Sequence, residues 1–238
     1  MSARIVKNLQ SPKTSSRART ETPASSSTAR TAGAGKKAGA SIARRTAATL
    51  DRRAAVSRIL QARTHALVVT GLGSATYDAA AHGDHERNFY LWGAMGGAAM
   101  IGLGLALAQP KVPVLVLTGD GEMLMGLGAF ATIGLKLPPN LKIVILDNEL
   151  YGETGQQPTA TTRTDMAAVA RACGIAQSST VTTAAELAQL IKPLHRADSG
   201  TMVTVVKIAM TDEVRALPIR DGAHNRARMR LALGLSVD

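Results

Sequence analysis

At 238 residues with 45% hydrophobic side chains, the chain is long enough for one domain with a substantial core. Residues 1–50 hold ten Lys/Arg and one Glu, and the remainder eighteen against sixteen, so +9 of the net charge of +11 belongs to the N-terminal fifth and nucleic-acid binding by the rest is not expected. The single cysteine, Cys173, excludes a disulfide framework and fits a reducing, cytoplasmic setting.

Residues 1–45 are Ser, Thr, Ala, Arg, Lys, Gly and Pro with hardly a large apolar residue, too little burial to offset ordering entropy. This segment is expected to be a disordered basic tail ahead of one domain at residues 46–238. A transit-type presequence and counterion release to an acidic partner are the alternatives to a solvated extension, and no secretory apolar core precedes it. From Ile42 to Ala62 the placing of Leu50, Val56, Ile59 and Leu60 among Arg and Ala predicts a helix. A β-type run follows, Ala66 to Thr70, closing on Gly71-Leu72-Gly73-Ser74 before a helical Ala75–Ala81. A strand ending in Gly-x-Gly-Ser offers backbone N–H groups to a phosphate; a tight turn needing positive φ gives the same letters. His82 and His85 read as surface-loop residues, His195 and His224 as helix-surface residues. The run Ala94–Ala108, stopped by Gln109-Pro110, is too short to span a bilayer and predicts a buried, Gly-rich helix packed on a sheet.

The centre of the chain lies between Val114 and Gln157. An apolar run, Val114–Leu117, stops at Gly119-Asp120-Gly121; a Gly-studded helical segment follows; a second run, Leu141–Leu146, stops at Asp147-Asn148. Two buried strands joined by a helix make a parallel βαβ unit, and ligands in such sheets sit at the strands' carboxyl ends. Asp120 and Asn148 therefore fall at one edge, as hard oxygen donors suited to Mg²⁺. Gly119 and Gly121 let backbone N–H groups approach a phosphate at a helix N-terminus near Glu122. A helix-capping Asp in an ordinary loop is the plainer alternative. The dinucleotide fingerprint fails, because Thr76 and Leu124 stand where its third glycine belongs. Beyond Asn148, a helix at Asp165–Ala172, a strand near Ile175, a helix at Ala184–His195, a strand at Thr201–Ile208 and a basic terminal helix at Ala223–Leu233 complete an α/β domain.

Three stretches also resemble thiamine-diphosphate enzymes. Gly119-Asp120-Gly121 with Asn148 resembles their diphosphate motif. NFYLWGAMGGAAMIGLGLALAQP at 88–110 is similar to a stretch of sulfopyruvate and phosphonopyruvate decarboxylases, with Ala94 in place of Ser, and YGETGQQPT at 151–159 is similar to their YxSTGxQPT loop, departing at Glu153 and Gln156. The resemblance implies a three-layer α/β sandwich with a mainly parallel sheet. By it, Asp120, Asn148 and the Leu150 carbonyl hold Mg²⁺, while Gly73, Ser74, Gly121, Glu122 and Tyr151 lie against the diphosphate. Met95 wedges between the cofactor's two rings, against the alternative of core filler, and the Gly93 carbonyl meets the 4′-amino group. The resemblance covers roughly residues 50–225 and only the diphosphate-binding half of such enzymes. It implies a hetro-oligomer: the glutamate that activates the pyrimidine lies on a separate pyrimidine-binding-domain subunit. The implied reaction converts a small 2-oxo acid to aldehyde and CO₂; an acetolactate-synthase-type carboligase subunit and a non-catalytic cofactor-binding assembly subunit are the alternatives.

Overall fold

A computed structural model describes residues 50–237, so the reading of residues 1–45 as a tail lies outside the described residues. The continuous apolar runs are the central strands. β1 (Leu67–Thr70), β3 (Val114–Gly119), β4 (Leu141–Asp147) and β8 (Met202–Lys207) are buried along almost their whole length. With β2 (Asn88–Tyr90) and β7 (Gln177–Val181) at the edges they form one all-parallel sheet in the order β2-β1-β3-β4-β8-β7. A sheet covered on both faces selects such runs, because neither face meets water.

Each strand divides its side chains between two cores. Val114 and Val116 of β3 join Leu67, Ile143 and Val203 on one face, packed by α3 (Ala98–Ala108), α5 (Ala129–Lys136) and α6 (Met166–Ala172). Leu115 and Leu117 join Val68, Val144 and Val206 on the other, packed by α1 (Arg52–Gln61), α2 (Ser74–His82) and α7 (Ala184–Leu194). This is the three-layer α/β sandwich expected. Asp51 caps α1 through the Ala54 amide, and Thr183 with Glu186 forms a capping box on α7. A basic helix, α8 (Gly222–Ala232), follows an irregular segment after β8. Among the described residues, no helix is long and apolar enough to cross a membrane.

Several boundaries depart from the sequence reading. The Gly-rich helix begins at Ala98 rather than Ala94, because Gly93 and Gly96 take positive φ of 73° and 90°. It packs closely as expected: a Cβ on Gly102 would lie 2.3 Å from Val116 Cγ2. Its outer side is nonetheless open, with Met100 and Leu107 exposed. The helical segment after Gly119 is broken at Gly126–Gly128 into α4 (Asp120–Met125) and α5, since Gly126 abuts the Gly96 backbone. The strand sought near Ile175 starts at Gln177, and Ile175 is a buried residue of the preceding turn. His195 is half-buried at the end of α7, with Nε2 2.8 Å from the Ile59 carbonyl, and is no surface residue.

Candidate functional site

The strand order reverses direction between β1 and β3: β1 leads outward to β2, and β3 leads the other way to β4. Such a switch point opens a crevice at the carboxyl ends of the strands, where ligands of α/β sheets bind. A cavity of about 320 Å³ lies there, lined by both loops together with the turn after β4. Gly73, Ser74, Met95, Gly119, Asp120, Gly121, Glu122, Asn148, Leu150 and Tyr151 all line it. Gly93 does not: it is exposed on the loop before Met95, outside the lining.

The two loops share a design. α2 starts from Gly73 and α4 from Gly119, and neither helix has a side-chain cap. Uncapped first-turn amides and the helix dipole favour an anion. Side chains are absent where the walls come closest: a Cβ on Gly121 would lie 2.4 Å from the Tyr151 ring, and one on Gly71 would run into the Glu122 carboxylate. Glu122 Oε2 accepts from Thr118 Oγ1 at 3.0 Å, while its Oε1 is buried without a hydrogen-bond partner. Burial pushes this carboxyl above its ordinary range.

Asp120 is buried, and burial beside Asp147 pushes its carboxyl up to about 6. Its Oδ2 accepts from Thr159 Oγ1 at 2.6 Å and Thr161 Oγ1 at 3.1 Å. Asp147, the last residue of β4, is bound by Lys207 Nζ at 2.7 Å, and Lys207 also meets Glu149 at 3.0 Å. Burial alone would lower this ammonium's pKa, but the two carboxylates win and hold it above its usual value.

Past Asn148 the chain turns sharply. Glu149 holds φ of 62°, uncommon for a residue with a side chain, and Asn148 Oδ1 closes the turn by accepting from the Leu150 amide at 3.0 Å. Leu150–Tyr151 (β5) then pairs antiparallel with Gln157–Pro158 (β6). Thr159 N donates to Glu149 O, which leaves Leu150 opposite Pro158, a residue without an N–H. The Leu150 carbonyl is therefore not consumed by the ladder.

Sequence reasoning missed the roles of Thr159, Thr161 and Lys207, which lie 39, 41 and 87 positions from Asp120; Thr159 ends the 151–159 stretch, and the other two carry no local signal. It also missed Arg52, a lining residue whose guanidinium is held by the buried Asp78 at 2.5 Å. Glu153, marked only as a departure from the family loop, lies on the cavity wall with Tyr77 Oη at 3.4 Å and Arg215 at 3.7 Å. His82 bonds Ser57, His85 bonds the Arg87 amide, and neither lines the cavity.

Parallel sheet, switch-point cavity, glycine turns at two helix N-termini and an oxygen-donor set define an α/β domain that binds a diphosphate-bearing cofactor. The family described as thiamine pyrophosphate enzyme, C-terminal TPP binding domain, matches residues 71–206, and the chain belongs to it. Among curated relatives, the chain is 44% identical over 131 residues to a phosphonopyruvate decarboxylase of Streptomyces viridochromogenes, covering 55% of this chain and 33% of the relative. It is 39% identical over 126 residues to the sulfopyruvate decarboxylase subunit beta of Methanococcus maripaludis, covering 53% and 68%. The chain thus spans about a third of the Streptomyces enzyme's length. Among solved structures, benzoylformate decarboxylase of Polynucleobacter necessarius shares the fold, with a TM-score of 0.57, 21% identity, and coverage of 71% of this chain and 35% of that one.

Thiamine diphosphate is the cofactor of this family, and the site fits it. The two helix N-termini and the turns without Cβ atoms suit a diphosphate. Asp120, raised by burial and without a basic side chain bonded to it, suits a cation. Among the described residues no three His, Cys, Asp or Glu side chains cluster as a metal site; the oxygen donors lining this cavity include the Asp120 carboxylate and the Asn148 amide.

Proposed function

We propose that this chain is the diphosphate-binding subunit of a two-chain thiamine-diphosphate-dependent 2-oxo acid decarboxylase, releasing CO₂ and an aldehyde. The observation that carries this reading is the switch-point cavity, which gathers the starts of α2 and α4, Asp120 at the start of α4, and Asn148 and Leu150 after β4 into one lining. Asp120, Asn148 and the Leu150 carbonyl hold Mg²⁺, and Gly73, Ser74, Gly119 and Gly121 give their amides to the diphosphate. Tyr151, seated on Gly121, walls that end. Met95, on the opposite lip and 38% exposed, supports the cofactor's bent shape as a wedge, and Gly93 belongs to the rim that the cofactor's amino group meets. Bound thiamine diphosphate supplies the electron sink for loss of the carboxylate.

Of the lining carboxylates, Asp120 is held by two threonines and Glu153 meets Tyr77 and Arg215, while Glu122 accepts from Thr118 through one oxygen only. In this reading all three lie at the diphosphate end, which supports a separate pyrimidine-binding chain as the source of that glutamate and a hetero-oligomer with the cofactor at its interface. The relative named as a subunit beta supports the same arrangement. The sulfopyruvate and phosphonopyruvate decarboxylases among the relatives support a 2-oxo acid as the substrate class. The test is CO₂ release from pyruvate, sulfopyruvate and phosphonopyruvate with Mg²⁺ and thiamine diphosphate. The chain should be inactive alone and active once a pyrimidine-domain subunit is added; robust turnover by the purified chain alone refutes the reading.

A further inference from the structure

The hairpin β5–β6 runs directly into a single 3₁₀ turn, Ala160–Thr162, and the two threonines flanking and inside it return to the strand ends. Thr159 Oγ1 lies 2.6 Å from Asp120 Oδ2 and 2.7 Å from Thr161 Oγ1. Thr161 Oγ1 lies 3.1 Å from the same Asp120 oxygen and 3.0 Å from Asp147 Oδ1. All four residues are buried, at 2% to 6% exposure. We infer that Thr161 is a positioning residue for the cation site: its hydroxyl bridges Asp120 to the Asp147–Lys207 pair and fixes the carboxylate that faces the ion.

The inference rests on the proposed role of Asp120 and reaches residues that have no contact with the cavity themselves. Neither Thr159 nor Thr161 lines it. Two hydroxyl protons serve these four contacts. Thr159 donates to Asp120, and the single Thr161 proton lies between Asp120 Oδ2 and Asp147 Oδ1 at near-equal distances, so this hydroxyl links the two carboxylates while Lys207 Nζ and the Glu149 amide complete Asp147. With Oδ2 held in this way, the carboxylate has one orientation to offer. The same segment is tied through Thr159 N to the Glu149 carbonyl, at the turn that carries Asn148 and Leu150. The hydroxyl bridge therefore sets the spacing between donors from two separate strand ends, β3 and β4. Outer partners of metal ligands act in this manner, and their loss typically costs roughly 10- to 100-fold in metal affinity.

The experiment is a calorimetric titration of thiamine diphosphate into the full chain across a Mg²⁺ series, for wild type, Thr161→Val, Thr161→Ser and Asp120→Ala, with melting curves in the presence and absence of both ligands. Thr161→Val should raise the half-saturating Mg²⁺ concentration by roughly 10- to 100-fold, and shrink the ligand-induced rise in melting temperature, while Thr161→Ser stays near wild type. If the valine variant does not fold, Thr161→Ala opens space instead of filling it and is read identically. An unchanged Mg²⁺ requirement in Thr161→Val beside a defective Asp120→Ala overturns the positioning role alone. An equal loss in Thr161→Ser also overturns it, because the hydroxyl is then not the cause. Normal binding by Asp120→Ala overturns the cation assignment on which it rests.

Discussion

Replacing Met95 by alanine separates a wedge from a core residue. The side chain sits between β2 and α3 on a loop held by Gly96 against Gly126, and it is 38% exposed at the cavity lip. Full burial of a methionine contributes about 1.5–3 kcal/mol. With some three-fifths of it covered, and the Cβ retained in alanine, the stability lost should be about 1 kcal/mol, a melting-point drop of about 2–4 °C for a domain of this size. A methionine enclosed in a core would cost about 2–5 kcal/mol. If Met95 positions the cofactor's rings, the rate falls far more than stability, since small misplacements of reacting groups cost roughly 10²-fold. The assay pairs ligand-free thermal melting with turnover in the presence of the partner subunit at saturating Mg²⁺ and cofactor. Normal turnover together with a melting point lowered well beyond about 4 °C, within the roughly 4–20 °C that core loss implies at about 2–4 °C per kcal/mol, would refute the reasoning.

Two further outcomes follow from the same geometry. Burial raises Asp120 to about 6, so the folded ligand-free chain holds that proton more tightly than the unfolded chain. Its stability should therefore fall as pH rises from the ordinary carboxylate range through about 6, whereas Mg²⁺-dependent cofactor affinity should fall as pH drops below about 6; Asp120→Asn melting curves that keep the first trend would contradict its assignment to Asp120. Glycine packing gives an opposed pair: a Cβ on Gly134 would meet the Cys173 carbonyl at 1.7 Å, while one on Gly104, on the open side of α3, meets nothing within 4 Å. Gly134→Ala should cost about 1–3 kcal/mol by overpacking, and Gly104→Ala should add about 0.5–1 kcal/mol through helix propensity; equal melting points for the two would contradict this packing.

The parts of the fold legible in the sequence are those with a local signature. Val114–Leu117 and Leu141–Leu146 are continuous apolar runs because both faces of their strands are covered, and the polar residues that stop them stand at the cavity edge. β2 escaped notice because three residues, Asn88–Tyr90, carry no period, and its polar groups are satisfied locally, the Asn88 amide donating to the Tyr90 hydroxyl and that hydroxyl to Asp84. The break between α4 and α5 was hidden because the glycines around it also suit a close-packed helix; only the approach of Gly96 to Gly126 distinguishes the two. At the site, Asp120, Asn148 and the glycine turns were marked by their places at strand ends. Glu122 was marked by its place just after the glycine turn and lines the cavity, while its bond to Thr118 carried no signal of its own. Thr159, Thr161 and Lys207 act through tertiary contacts that no spacing rule encodes.

The most direct test of the account is the anomalous signal of Mn²⁺ substituted for Mg²⁺ in crystals of the chain grown with thiamine diphosphate. The account predicts one strong peak within coordinating reach of the Asp120 carboxylate, the Asn148 side chain and the Leu150 carbonyl, with the diphosphate over the Gly73 and Gly121 turns. A bound cofactor whose metal peak lies away from Asp120, or a cofactor seated outside the cavity between β1 and β3, would contradict it.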